Sequence, residues 1–328
     1  MEIQEKTVLC FPHLFNTSCK KTNLTQSQLV LLHSLLSFIS LITVALNLLV
    51  IISVSHFRQL QTPTNILLLS LAVPDLFVGL LLMPVEMIRN TTCWFLGELP
   101  CVLYNYVSFI ITFASVVNMV LISVDRYIAI CKPLYYTTRI TERDVKLFVC
   151  LCWFFSVLYG GLIVSGDLNG PVHYYSCHGE CLIIVDYIAG TVDVVVSFII
   201  PVTIIIFLYI KVFVVAVSQA RAMRSHITAA SLQPSVNQSR KSELKAARTL
   251  GVLVLVFLIC FCPYYCLSLI GKDALSSTPG AVVLCLFCFN SCVNPLIYAL
   301  FYAWFKKTVK LIITLQIVKP GSCEARIL

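Results

Sequence analysis

The sequence predicts an all-α membrane protein, a bundle of seven transmembrane helices with its N-terminus outside. Three observations lead there. The 328 residues are 59% hydrophobic and only 12% charged, whereas soluble domains average about 25% charged residues; the mean hydropathy is +0.92, so the main solvent is lipid. Seven stretches, near 28–54, 64–89, 98–129, 144–166, 188–216, 245–270 and 280–303, can each supply the roughly 20 apolar residues that span a bilayer. With the N-terminus outside, five of the 23 basic residues (Lys6, Lys20, Lys21, Arg89 and Lys272) fall on the outer side and the rest on the inner, the asymmetry that sets orientation.

The segments follow in order. Residues 1–27 form an outer tail; "MEIQEKTVLC" has mixed charge and no apolar core, so no cleaved signal peptide is expected and the first span acts as the insertion signal. Glycosylation sequons at Asn16, Asn23 and Asn90 lie on the outer side. The first span is the cleanest, with no charged side chain between Lys21 and Arg58. The second carries Asp75 directly after Pro74, and the third opens at Cys101 and ends in Asp125-Arg126-Tyr127. The fourth carries Trp153, the fifth Asp193 and Pro201. A polar, basic, Ser/Gln-rich loop, about 217–244, follows, and its middle is expected to be mobile. The sixth span carries Pro263 and the seventh Asn294-Pro295-Leu-Ile-Tyr298. The bundle domain thus covers 28–303. In 304–328, "FKKTVKLIITLQIV" mixes bases and apolar residues as a helix lying on the inner leaflet would.

Several functions are excluded. The net charge of +8 is a cytoplasmic skin facing membrane lipid, so no nucleic-acid partner is expected. No nucleophile and base are placed together by a motif, which argues against an enzyme. A retinal pigment needs a lysine in the seventh span, and 280–303 has none. Of the sixteen cysteines, six (Cys10, Cys19, Cys93, Cys101, Cys177 and Cys181) face the oxidising side, where disulfides form. No cysteine and histidine spacing suits a metal.

The ordered signature residues, together with Asn47 in the first span and "LAVPD" in the second, resemble rhodopsin-like G-protein-coupled receptors. "NSCVNPLIYALFYAWF", Asn290 to Phe305, is similar at every fixed position to the fingerprint N-S-x-x-N-P-x-x-Y-x-x-x-Y-x-W-F of trace amine-associated receptors. The resemblance implies a multi-pass plasma-membrane receptor for a small protonated amine. It also implies a heterotrimeric G-protein partner of the stimulatory, olfactory type that raises cyclic AMP. Arg126 has two candidate anions, the adjacent Asp125 and Glu243; the resemblance implies that Arg126 and Glu243 lock the inactive state and that Tyr209 and Tyr298 engage Arg126 in the active one. No cofactor is expected beyond a sodium ion, which the family binds at Asp75 with Ser115, Asn290, Ser291 and Asn294; Asn47 lies close by. Pro74 departs from the family pattern and is expected to bend the second span. The implied disulfides are Cys101 with Cys181, and Cys177 with Cys10 or Cys19.

Asp193 lies in the apolar run "GTVDVVVSFIIPV", and an acid at such depth is expensive and functional by default. It stands eight residues before Pro201, roughly 12 Å toward the outside at 1.5 Å per residue. Most amine receptors place their anchoring aspartate on the third span, where this chain has Ser108. A fish branch of the trace amine family, which this pattern resembles, carries the acid on the fifth. The outer halves of the spans hold one base, Arg89, and Glu86 is its (i, i+3) neighbour. Asp193 is therefore expected to bind a cationic ligand, a monoamine in preference to a diamine. The competing reading is a neutral aspartate, protonated or bonded to Ser108, Thr112 or a tyrosine, in a receptor for a non-amine ligand. An ion pair at 4 Å yields about 4 kcal/mol at an effective dielectric near 20, half of the roughly 8 kcal/mol of micromolar affinity. Aromatic contacts from Phe261, Tyr264 and Tyr265 are expected to supply the remainder, while Phe287 is expected only to pack. Phe261 and Cys288 replace a tryptophan and a tyrosine common in amine receptors.

Overall fold

Thr25 starts the first helix, Gln26–His56. Its hydroxyl accepts from the Gln28 N–H while the Gln28 side chain accepts from the Thr25 N–H, satisfying two of the donors a helix start leaves open. Thr62 caps the second span by accepting from the Asn65 N–H, with Pro63 at the first position, where its missing N–H costs nothing. That span runs Pro63–Phe77, passes through one π-helical turn, Val78–Leu82, and continues as Met83–Thr91. The third is Glu98–Cys131, followed by a short inner helix, Pro133–Arg139. A reciprocal Thr141–Asp144 cap opens the fourth, Glu142–Ser165. The fifth runs Tyr187–Val194, a π turn Val195–Ile199, then Ile200–Ile227. The sixth is Pro234–Ile270, the seventh Thr278–Phe301, and a tail helix spans Ala303–Ile313. This computed structural model describes residues 9–13, 18–19, 25–165, 179–181, 187–227, 234–270, 278–324 and 327.

Among the described residues six helices are long and apolar enough to cross a membrane, and the seventh span adds a shorter apolar stretch, Val282–Ile297. Burial is inverted relative to a soluble protein. Leu31, Phe38, Leu162 and Phe213 are exposed, whereas Asn47, Asp75 and Asn118 are fully buried. A polar group cannot be left facing hydrocarbon, so the bundle gathers these side chains at its centre.

Both π turns have a covalent cause. Pro84 and Pro201 lack an N–H, so the carbonyls of Leu80 and Ser197, each inside its π turn, lose their ordinary donor. The turns re-register the helix around that gap. Pro74 lies in the regular helix just before the first π turn, and the Val78 N–H bonds the Pro74 and Asp75 carbonyls together. Close helix contact rests on small residues. A Cβ on Gly79 would lie 3.0 Å from Val44 Cγ2, and the Ser40 hydroxyl donates to the Gly79 carbonyl at 2.6 Å.

The inner side differs from expectation in one respect. The fifth helix extends to Ile227 and the sixth begins at Pro234, so most of 217–244, expected to be a loop, is helix; the middle of that stretch, 228–233, lies outside the described residues. Helix propagates one hydrogen bond per residue once begun and does not need an apolar face to leave the membrane. The tail helix docks by Trp304 and Phe305, both buried, and by a Ser53–Thr308 hydroxyl pair at 2.9 Å.

Gly79→Val should lower the melting temperature of the detergent-purified protein, because forced overpacking costs about 1–3 kcal/mol; a thermal-shift assay checks this.

Candidate ligand and coupling sites

The outer face is stapled at two described points. Cys101 at the top of the third span is bonded to Cys181, and Cys10 of the tail to Cys93. Gly179 makes the second staple fit: its φ is +108°, and an added Cβ would lie 2.8 Å from the Cys10 Cβ. Its carbonyl accepts from the Trp94 N–H at 2.8 Å, while the Cys10 N–H donates to the Cys19 carbonyl at 2.9 Å. Tail and outer loops thus form one cap. Because Cys10 is committed to Cys93, it is not available to Cys177, and that expected alternative is corrected. Cys19 is also in a disulfide; Cys177, Asn16 and Asn23 lie outside the described residues.

Under this cap, Asp193 is half-buried in the turn that precedes the fifth-span π turn. The Tyr159 hydroxyl of the fourth span donates to its Oδ1 at 2.5 Å. The hydroxyls that reach Asp193 are therefore those of Tyr159 and Ser197, and among the described residues neither Ser108 nor Thr112 hydrogen-bonds to it. Tyr159 arrives there because Gly160, beside it, lets the fourth span close on the third. A Cβ on Gly160 would sit 3.0 Å from Ile110 Cγ1, and the Tyr159 ring stacks on Phe113 with centroids 4.2 Å apart. Among the described residues no lysine, arginine or histidine pairs with Asp193.

One turn deeper, the Ser197 hydroxyl donates to the Asp193 carbonyl at 2.5 Å and shares a hydrogen bond with Tyr265 Oη at 3.0 Å. The Tyr265 ring stacks on Phe198 at 4.4 Å. Phe261 lies on Phe257 and Phe287, and Tyr264 packs on Phe287 at 4.7 Å. Phe261, Tyr264, Tyr265 and Phe287 are thus one continuous aromatic wall. Tyr159, Phe113, Ser197 and Phe198 complete it, and sequence reasoning missed all four. A tyrosine in a mostly apolar span carries no positional signal, and its partner is 34 residues away.

Glu86 is engaged. Its carboxylate pairs with Arg89 at 2.8 Å and accepts the Tyr104 hydroxyl at 2.7 Å, and Arg89 also reaches the Cys181 carbonyl at 3.3 Å. This ion pair braces the cap to the second and third spans.

Asp75 is fully buried midway down the bundle. Ser291 Oγ donates to its Oδ1 and Asn294 Nδ2 to its Oδ2, both at 2.8 Å. Asn47 Nδ2 donates to the Ser291 carbonyl at 3.0 Å. The side-chain oxygens of Asn47, Ser115, Asn290 and Asn294, also buried within the bundle, accept no hydrogen bond among the described residues. An acid with several free oxygens is a donor set that fits a small hard cation.

At the inner end, Arg126 bonds Asp125 Oδ2 through Nε at 3.0 Å and Nη2 at 2.6 Å, and also bonds the Thr64 hydroxyl. Thr64 donates to Asp125 Oδ2 at 2.9 Å and Tyr136 to Oδ1 at 2.8 Å. Burial, then the Asp125 charge, holds the Tyr136 phenol above its ordinary range. Arg126 holds Asp125, one of its two candidate anions; Glu243 and Tyr298 are outside the described side chains. Tyr127 packs with Ile130, Val212 and Ala216 at the inner end of the fifth span. The Tyr209 hydroxyl occupies the space beside Gly251 that a Cβ would fill, against the sixth helix. Pro295 follows Asn294 in the buried part of the seventh span.

A seven-helix bundle with a stapled outer cap, a buried central acid and an Asp-Arg-Tyr network at its inner end defines a rhodopsin-family receptor. The family model described as "7 transmembrane receptor (rhodopsin family)" matches residues 46–298. The chain is 38% identical to trace amine-associated receptor 13c of Danio rerio, covering 96% of this chain and 94% of that one. It is 36% identical to trace amine-associated receptor 8a of Rattus norvegicus, over 96% and 94%. To trace amine-associated receptor 1 of Mus musculus it is 32% identical, over 95% and 97%. The chain belongs to the trace amine-associated receptors. It is accordingly a multi-pass plasma-membrane receptor and no enzyme, with a small-molecule ligand outside and a heterotrimeric G protein inside.

In Cys10→Ser, Cys93 should become a free thiol. Alkylation of the non-reduced protein followed by peptide mapping should find Cys93 labelled in the variant and unlabelled in the wild type.

Proposed function

We propose that the protein is a chemosensory receptor for amines, in which the ligand's ammonium pairs with Asp193 and the occupied receptor acts through a stimulatory G protein to raise cyclic AMP. The observation that carries the reading is an acid at ligand depth, flanked by aromatic rings, whose partners among the described residues are neutral hydroxyls. A cation completes that arrangement where a hydroxyl alone does not, because aromatic faces attract an ammonium. The names of the relatives point the same way, and olfactory expression follows from the family. The Tyr159 bond also suits a neutral Asp193 in a receptor for a non-amine ligand, and one substitution separates the two readings. In cells carrying a cyclic AMP reporter, Asp193→Asn should raise the half-maximal concentration of active amines about 100-fold or more at equal surface expression, the scale of removing one partner of a buried charge pair. An unchanged response would reject the anchor.

We further propose that sodium binds beside Asp75 through the oxygens of Ser115, Asn290, Ser291 and Asn294 and favours the resting state. Sodium should then weaken amine binding to the wild type, measured by radioligand competition in sodium against N-methylglucamine buffer, and have no effect on Asp75→Asn.

A further inference from the structure

We propose that Met83, Cys285 and Cys288 form a binding site for a soft monovalent cation of the copper(I) class, which ties the second span to the seventh. Beside the Glu86–Arg89 pair, the first, second and seventh spans line a cavity of about 30 Å³. A single water needs about 10–15 Å³ and a drug-sized ligand at least about 300 Å³, so this cavity is of ion size. Its lining is rich in sulfur, with Met83 and Met87 from the second span and Cys285 and Cys288 from the seventh. Each pair is one helical turn apart, at (i, i+4) and (i, i+3), and so shares one face of its helix. Met83 and Cys288 also belong to one buried cluster; they are 2% and 6% exposed, and neither cysteine is in a disulfide. The Met87 sulfur accepts from the Ser37 hydroxyl of the first span at 3.9 Å and is committed to that contact.

The donor set selects the ion. Among the described residues no three His, Cys, Asp or Glu side chains cluster as a metal centre, which argues against zinc and the hard divalent cations. The carboxylate in the lining, Glu86, is engaged by Arg89 and Tyr104. Thiolate and thioether sulfurs select copper(I), an ion content with few ligands. On binding, one of the two thiols releases its proton to water and holds the ion as thiolate, while Met83 adds a neutral thioether. One thiolate against one positive charge leaves the complex neutral, and a net charge at this depth is what the bilayer penalises. The ion would brace the same two helices that Asp75 joins through Ser291 and Asn294.

The test uses the full-length receptor purified in detergent. Copper(I) is added without oxygen as its acetonitrile complex, so no reductant reaches the disulfides, and its affinity is measured by competition with the chelator bicinchoninate. Wild type is compared with Cys285→Ala, Cys288→Ala, Met83→Leu and Cys266→Ala. The last breaks the other thiol pair at helical spacing, Cys262 and Cys266 of the sixth span, which has no methionine. The wild type should retain copper(I), and each of the first three variants should bind it at least about tenfold more weakly, since even a residue that only supports a ligand is worth roughly 10–100-fold. Cys266→Ala should match the wild type. A wild type that yields all its copper to the chelator overturns the assignment. So does an affinity that survives Cys288→Ala or falls in Cys266→Ala alone, either of which means adventitious thiol binding only. Where Cys288→Ala is not recovered folded, Met83→Leu, close in volume, decides: an unchanged affinity there removes the bridge to the second span and the site with it.

Discussion

A charge surrounded by hydrocarbon must be answered by the protein that carries it, and the bundle is arranged around four such answers. Glu86 is met by Arg89, and Asp125 by Arg126. Asp75 is met by an amide and a hydroxyl, and Asp193 by two hydroxyls. The first two acids are closed ion pairs that hold elements together, one under the outer cap and one at the inner end. The other two are served by neutral donors among the described residues. These are the two acids at which a cation from outside the chain is proposed, so the division between structural and functional acids follows the division between charged and neutral partners.

Much of this was legible in the sequence. Seven apolar runs, the basic inner face and the order of signature residues specify the bundle, because lipid imposes a length and composition that few other folds share. Asp193 stood out because an acid in such an apolar run is expensive to bury. What stayed hidden depended on geometry between distant segments. Tyr159 reads as one more aromatic ring until Gly160 draws the fourth span onto the third. Cysteine spacing marks the outer side but not who pairs with whom, and only the contact of Cys10 with Gly179 and Cys93 removes it as a partner for Cys177. The helical continuation of the fifth and sixth spans beyond the membrane was invisible for another reason: a polar helix outside the bilayer lacks the periodicity that reveals an amphipathic one.

The outer cap and the ligand level are mechanically joined. Cys181 is bonded to Cys101 at the head of the third span, and its carbonyl is held by Arg89. Arg89 is paired with Glu86, which accepts from Tyr104 one turn below Cys101. Displacement of the cap is therefore felt by the second and third spans together. On the opposite wall, the path from Asp193 through Ser197 to Tyr265 runs directly from the fifth span to the sixth.

The π turn at Val195–Ile199 has a consequence for how this receptor can change over generations. A helix advances about 100° per residue, so gaining or losing a single residue in that widened turn rotates everything above it by more than a quarter circle while leaving the half below Pro201 in register. The upper turn bearing Asp193 behaves as a dial mounted on a fixed shaft. A one-residue deletion there would turn the carboxylate away from its present position and bring another side chain to that place, altering ligand tuning in one genetic step without disturbing the signalling half.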